Sequence, residues 1–314
     1  MRGNIVYSRS GIVTKTIAKF SSNEWTQLKT IIVGSASKSN WPVNCPDFRR
    51  LEHTTLWKET PVPKGPVPEW IVNEANDDLN KLADFLSTLG VNVLRPKEID
   101  FVERDGFYNY CPRDRLLVID DVVIDPVMPT RCRQMEIEAY DFLDTNYVKA
   151  KGKFDAANVC RLNDDLLYLV SESGDYDGAR WLADYFEGRK TVHALDKLYS
   201  GVHIDSTIVP VREGLVVLNA NRINEDNMPD PLKSWDKIWV HECEQQPFFQ
   251  YPYASNWIGI NFLVYDETSI ICDPKQTWLR KQLDNYKVDS VGIDLRHSRT
   301  LGGGHHCVTL DILR

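Results

Sequence analysis

Four segments of this chain repeat one plan: a polar residue with side-chain chemistry, an apolar run, a short polar turn and a second apolar run. They are CPRDRLLVIDDVVIDP from Cys111, FDAANVCRLNDDLLYLV from Phe154, HIDSTIVPVREGLVVLN from His203 and SNWIGINFLVYDETSIICDP from Ser255. Two apolar runs around a polar turn read as a β-hairpin, with turns expected at Asp120-Asp121, Asn163-Asp164-Asp165, Arg212-Glu213-Gly214 and Asp266-Glu267. Helical spacing follows in Asp177 to Glu187 and Pro274 to Tyr286. It also marks the face Ile71, Ala75, Leu79, Leu82, Leu86 and Leu89, closed by Gly90 before the strand VNVLRP. A fifth copy is split between the termini: TIIVGSA near Thr30 is expected to pair with HHCVTLDIL at the end of the chain, which closes a ring.

The repeats start at Asp114, Asp155, His203, Ser255 and Cys307, separated by 41, 48, 52 and 52 residues, a period suited to circular repetition of an α/β unit. If equivalent positions face a common axis, two carboxylates, an imidazole, a hydroxyl and a thiol meet in one pocket. The competing reading makes them turn-flanking polar residues with no common destination. With no linker or low-complexity segment, residues 1–314 read as a single domain, with 1–20 as an N-terminal extension.

Composition narrows the partners. In 314 residues, 42% are hydrophobic and 26% charged, the balance of a globular chain long enough to bury a sizeable core. The formal net charge is −8 with signs interspersed, which argues against nucleic acid and favours a small cationic substrate. No run approaches the roughly 20 apolar residues of a membrane span, and the first residues lack the apolar block of a signal peptide, so a cytoplasmic location and no membrane partner are expected. Seven irregularly spaced cysteines without a CxxC pair argue against a zinc ribbon or disulfide scaffold and read as mostly buried thiols.

Only Cys307 has neighbours that suggest chemistry. LGGGHHCVTL sets it after three glycines, which permit a close approach to a ligand, and at the expected start of a strand. His305, His306 and Cys307 form no metal site on this reading, because adjacent strand residues point to opposite faces and no second cluster completes one; neither metal nor cofactor is expected. A thiolate needs a proton acceptor or a cationic neighbour, and His203 can supply it. In GVHID, His203 and Asp205 would share one face of a strand. Asp114 and Asp155 precede apolar runs, and convergent carboxylates without a metal suit the bidentate geometry of a guanidinium. Thiol, imidazole and carboxylates together describe attack on an amidine carbon, giving a covalent amidino-thioether.

At these residues the chain resembles the arginine amidinotransferases, most of all the inosamine-phosphate type and less the glycine type. The densest stretches are DGFYNYCPRD (Asp105 to Asp114), FDAANV, KLYSGVHIDSTIVP (Lys197 to Pro210), NRINEDNMPDPLKSW (Asn221 to Trp235) and HSRTLGGGHHC (His297 to Cys307). The resemblance implies an α/β five-bladed pseudosymmetric propeller of pentein type, built of ββαβ modules around a central active-site channel. It implies Cys307 as nucleophile, His203 as general acid and base, and Asp155 orienting His203. It further implies Asp114 and Asp205 on the guanidinium, and Arg222 and Ser255 on the donor's carboxylate. The implied reaction moves the amidino group of L-arginine to a small amine and releases L-ornithine, in a possible homodimer; the acceptor could be an inosamine phosphate, glycine or another amine. An arginine hydrolase, a deiminase or dihydrolase with water as acceptor, shares the same residues. Val202 stands where glycine-type enzymes carry Met and inosamine-type enzymes Thr, which implies room for an acceptor larger than glycine. His305 stands where an aromatic or aliphatic residue is usual. The acid-rich surroundings of Cys307 further imply that arginine's own charge assists thiolate formation.

Overall fold

The computed structural model describes residues 17–48, 61–143, 146–196, 198–199 and 201–314; residues 1–16 of the expected N-terminal extension lie outside these. In chain order the elements are β1 (Thr30–Val33), β2 (Asn40–Trp41), β3 (Gly65–Pro66), α1 (Glu69–Thr88), β4 (Asn92–Leu94), β5 (Leu117–Ile119), β6 (Val122–Val127) and β7 (Val148–Lys153). There follow β8 (Val159–Leu162), β9 (Asp165–Leu169), α2 (Tyr176–Tyr185), β10 (Thr191–Leu195), β11 (Ile208–Arg212), β12 (Leu215–Asn219) and β13 (Asp236–Val240). The last are β14 (Leu263–Asp266), β15 (Ser269–Cys272), α3 (Thr277–Asn285), β16 (Asp289–Gly292), α4 (Ser298–Leu301) and β17 (Thr309–Leu313).

Five three-stranded sheets share one topology: β17-β1-β4, β5-β6-β7, β8-β9-β10, β11-β12-β13 and β14-β15-β16. In each, the second strand runs antiparallel to the first and parallel to the third. A parallel partner demands a crossover, and a helix supplies it. α1, α2 and α3 do so in three modules, a run of 3-10 turns over Arg131–Leu143 in another, and only the short turn Asp230–Leu232 before β13. The split module is present as expected, with Thr30 opposite Leu313 and Val33 opposite Thr309. The first strand of this module comes from the end of the chain, so β17 closes the ring.

Burial falls from the inside of the ring outward. The second strands β1, β9, β12 and β15 are almost wholly buried, whereas β4, β10 and β16 alternate between half-buried and exposed. The apolar side chains do not form five separate cores. Leu117 and Ile124 of one module pack with Val159 and Leu166 of the next, and Val216 and Val217 pack with Val264 and Ile270. Each module thus buries its faces against its neighbours, the reason a single copy is not a stable unit.

Some local expectations shift by a residue or more. Asp120-Asp121 turns as expected, while the other hairpins turn at Asn163-Asp164, Glu213-Gly214 and Glu267-Thr268. Asp120, Asn163 and Gly214 have positive φ, so residues tolerant of the left-handed region set the reversals. Cys307 does not begin a strand: it lies in a turn, two residues before β17. His203 and Asp205 also lie in a turn rather than on a strand, ahead of β11. Among the described residues no helix is long and apolar enough to cross a membrane.

Candidate active site

The polar residues that open the modules meet at the ring's centre because backbone and side-chain bonds tie each module to the next there. Arg113 N donates to Cys307 O (3.4 Å), Phe154 N to Val127 O (3.2 Å) and Ile204 N to Ala157 O (3.0 Å). Asn261 completes the circuit: its Nδ2 donates to Asp205 O (3.1 Å), and its Oδ1 accepts from the backbone N–H groups of Cys307 and His306, both at 3.1 Å. Gly303 and Gly304 let the turn come this close, since a Cβ at Gly304 would stand 2.7 Å from Asn261 Oδ1 and one at Gly303 would overlap the Cys111 sulfur.

His203 sits at φ 63°, a strained conformation for a non-glycine residue, and is held there from both ends. Its N–H donates to Ser173 Oγ (3.3 Å), and Ser173 O accepts the Asp155 N–H (2.8 Å). The ring's Nε2 meets Asp155 Oδ2 at 3.0 Å, and Nδ1 lies 3.7 Å from Asp114 Oδ1. Burial disfavours the imidazolium, but the charge of Asp114, the hydrogen bond the ring donates to Asp155, and the charges of Asp155 and Asp205 outweigh it and take the His203 pKa up to about 10.

Cys307 is 3% exposed, and its Sγ is 3.4 Å from Asp205 Oδ2. Burial, then the charges of Asp205, Cys111 and Asp114, pushes the thiol well above its ordinary range. Asp205 itself is held down to about 2: burial opposes its ionisation, but the hydrogen bond and charge of His306, with help from His203 and Asn261, prevail. Asp114 goes the other way, raised by burial against the pull of His203 and Arg133. Arg133 pairs with it at 3.0 Å and with Glu136, also at 3.0 Å.

One oxygen of Asp114 and one of Asp155, both Oδ1, are buried and receive no hydrogen bond among the described residues. Buried carboxylate oxygens are normally satisfied, so two without a partner side by side are unusual. The cleft is lined by Val202, His203, Asp205, Ser255 and Cys307, together with Tyr199 and Tyr253; Asp114 and Asp155 contact His203 but are not in that lining. Arg222 is not brought to that lining. It donates to Thr207 Oγ1 (2.7 Å) and Ser206 Oγ (3.2 Å) and stacks 3.6 Å from the centroid of Tyr199, in an adjoining open cavity that shares Tyr199 as a wall.

Arg133, Asn261, Ser173 and His306 were not visible as site residues in the sequence. Arg133 and Ser173 belong to no repeat start, and their partners come from other segments. His306 could have been found, since it adjoins the nucleophile turn. Its ring turns to Asp205 while that of His305 turns away to Ile293 O (2.8 Å).

Five three-stranded modules, three of them with an α-helical crossover, and these groups gathered between them define a guanidino-modifying enzyme of the pentein type. No family model matches the chain. It is 38% identical over 332 residues to inosamine-phosphate amidinotransferase 1 of Streptomyces glaucescens, across 93% of this chain and 95% of that protein. The solved inosamine-phosphate amidinotransferase of Streptomyces griseus matches with a TM-score of 0.89 and 36% identity, covering 94% of this chain and 97% of that one. The mitochondrial glycine amidinotransferase of Gallus gallus is 26% identical over 350 residues, 94% of this chain and 82% of that protein. The chain belongs to the amidinotransferase family.

Proposed function

We propose that the chain transfers the amidino group of L-arginine to a primary amine through an amidino-Cys307 intermediate and releases L-ornithine. The observation that carries this reading is the pair of buried, unpartnered oxygens on Asp114 and Asp155 beside the thiol and His203. A guanidinium offers planar, paired N–H donors to such oxygens, and its charge offsets the acids that suppress the thiolate.

Cys307 gives up its proton to solvent as arginine's charge enters the cleft, because His203 is already protonated, and the sulfur bonds to the guanidino carbon. The bond from that carbon to the side-chain nitrogen breaks as His203, protonated at neutral pH, delivers a proton to that nitrogen and ornithine leaves. His203 is left neutral, and the amidino group stays on sulfur as a cation. An acceptor amine then attacks the same carbon, His203 takes its proton, and sulfur leaves as thiolate. Splitting the transfer in this way replaces one difficult displacement with two easier ones. Asp205 stays ionised alongside, Ser255 lines the cleft where the donor's main-chain end would lie, and Arg222 would meet that carboxylate across Tyr199. The greater likeness to the inosamine-phosphate enzymes makes an inosamine phosphate the first acceptor to try, ahead of glycine.

Excess arginine without acceptor tests the reading. About one equivalent of ornithine should appear and then stop, with none from Cys307→Ser. Continuous ornithine together with urea or ammonia, or citrulline instead of ornithine, would favour the hydrolase.

A further inference from the structure

His306 is the one imidazole beside the cleft that the transfer steps leave unused. It follows the three glycines and precedes the nucleophile, and its N–H is held by Asn261 Oδ1. Its ring is clamped by two carboxylates from different parts of the chain: Nδ1 lies 2.8 Å from Asp205 Oδ2 and Nε2 lies 3.3 Å from Glu24 Oε2. Both carboxylates call for an N–H donor, and the ring presents one nitrogen to each. The same Asp205 oxygen faces the Cys307 sulfur at 3.4 Å.

Glu24 is itself anchored. Arg161 donates to both of its oxygens, at 2.8 and 2.6 Å, and reaches Asp311 at 2.7 Å. Arg113 pairs with Asp311, lies 3.9 Å from Glu24, and donates weakly to His306 O (3.4 Å). Cys160 lies in the small apolar cavity beside the ring, with Phe262 and Val264. The ring therefore has rigid acceptors on both sides and little freedom to turn. Without its charge, Asp205 would face the sulfur as an uncompensated buried anion.

We propose that His306 is a positioning residue for Cys307: it acts through Asp205, holding that carboxylate ionised and aimed at the sulfur while offsetting its charge. This deepens the amidino-transfer reading and rests on it. The lowered Asp205 pKa described above, for which His306 is the leading favourable partner, agrees with the geometry.

The test reads Cys307 alkylation by iodoacetamide against pH, with peptide mass spectrometry to separate it from the other thiols, and needs no arginine. His306→Phe should slow alkylation at pH 8 about tenfold, equal to a rise of about one unit in the thiol's apparent pKa. Asp205→Asn should speed it, and adding His306→Phe to Asp205→Asn should change it no further. His306→Gln, which keeps an N–H donor without the charge, should show the same slowing and stands in if the Phe variant fails to fold. Equal slowing in both Asp205 backgrounds, or an unchanged profile in a folded His306 variant, would overturn the inference. If the parent releases no ornithine from arginine, the transfer reading fails while the alkylation result still decides the role of His306.

Discussion

At the level of single residues, the site is an argument between burial and charge. Asp114, Asp155 and Asp205 are buried and the His203 side chain is 12% exposed, so each charge here depends on its neighbours. Because the His203 pKa rises from 6.5 to about 10, the stability it contributes is complete below pH 6.5 and is lost as pH climbs through 10. The melting temperature of the parent should therefore exceed that of His203→Gln most at pH 6, with the gap closing by pH 10. Asp155→Asn keeps a hydrogen-bond acceptor on Nε2 but removes the charge and one carboxylate oxygen. Ornithine release in single-turnover mixing should then fall by about 10²-fold or more, the usual share of a general acid. The sequence made Cys307, His203 and the acids legible because each opens a repeat. It could not show that Asp114 is shared with Arg133, whose place is fixed by the 3-10 run Arg131–Leu143.

At the level of elements, the nucleophile turn is the most constrained piece. Residues 302–308 link α4 to β17, and Asn261 holds the turn by accepting two consecutive N–H groups. Asn261→Ala leaves both donors without that acceptor and should cost about 1–3 kcal/mol in urea unfolding, with slower ornithine release. Gly303→Ala forces a methyl group onto the Cys111 sulfur. It should abolish the ornithine burst even where the protein folds, whereas Gly214→Ala, with open space around the Cβ but φ 84°, should lower stability and spare the burst. The hairpins were readable because both their strands are buried and apolar. The third strands were harder to read, since TVHAL, DKIWV and DSVG lie at the ring's rim and carry mixed residues.

Across the whole molecule, ring closure rests on ions as much as on apolar packing. Asp311 on β17 meets Arg161 of β8, Arg113 and Arg314, and Arg314 donates on to Thr26 O (2.8 Å) and Val264 O (2.9 Å). Five parts of the chain thus converge on one buried ionic cluster. A buried pair contributes little net stability, but breaking it leaves an unpaired charge. Arg161→Met should cost about 3–5 kcal/mol in equilibrium unfolding, and the double change Arg161→Met with Glu24→Leu should recover part of that loss.

Periodicity is a local property of a chain, so the sequence alone determined the five-fold repeat, the hairpins, the split module and the candidate thiol, imidazole and acids. The repeat, the hairpins and the candidate residues need only the order of apolar and polar residues within about fifty positions, and the split module is what that repeat leaves over at the two ends of the chain. Partnership is not local. That His306 faces Asp205 across 101 positions, that Glu24 reaches Arg161 across 137, and that Arg222 stacks on Tyr199 outside the Cys307 cleft were decided by the closed ring alone. Closure sets Asp155 against His203 and Asp205 against Cys307, with Asp114 and Ser255 close by, and only there do burial and neighbouring charge set which groups hold protons.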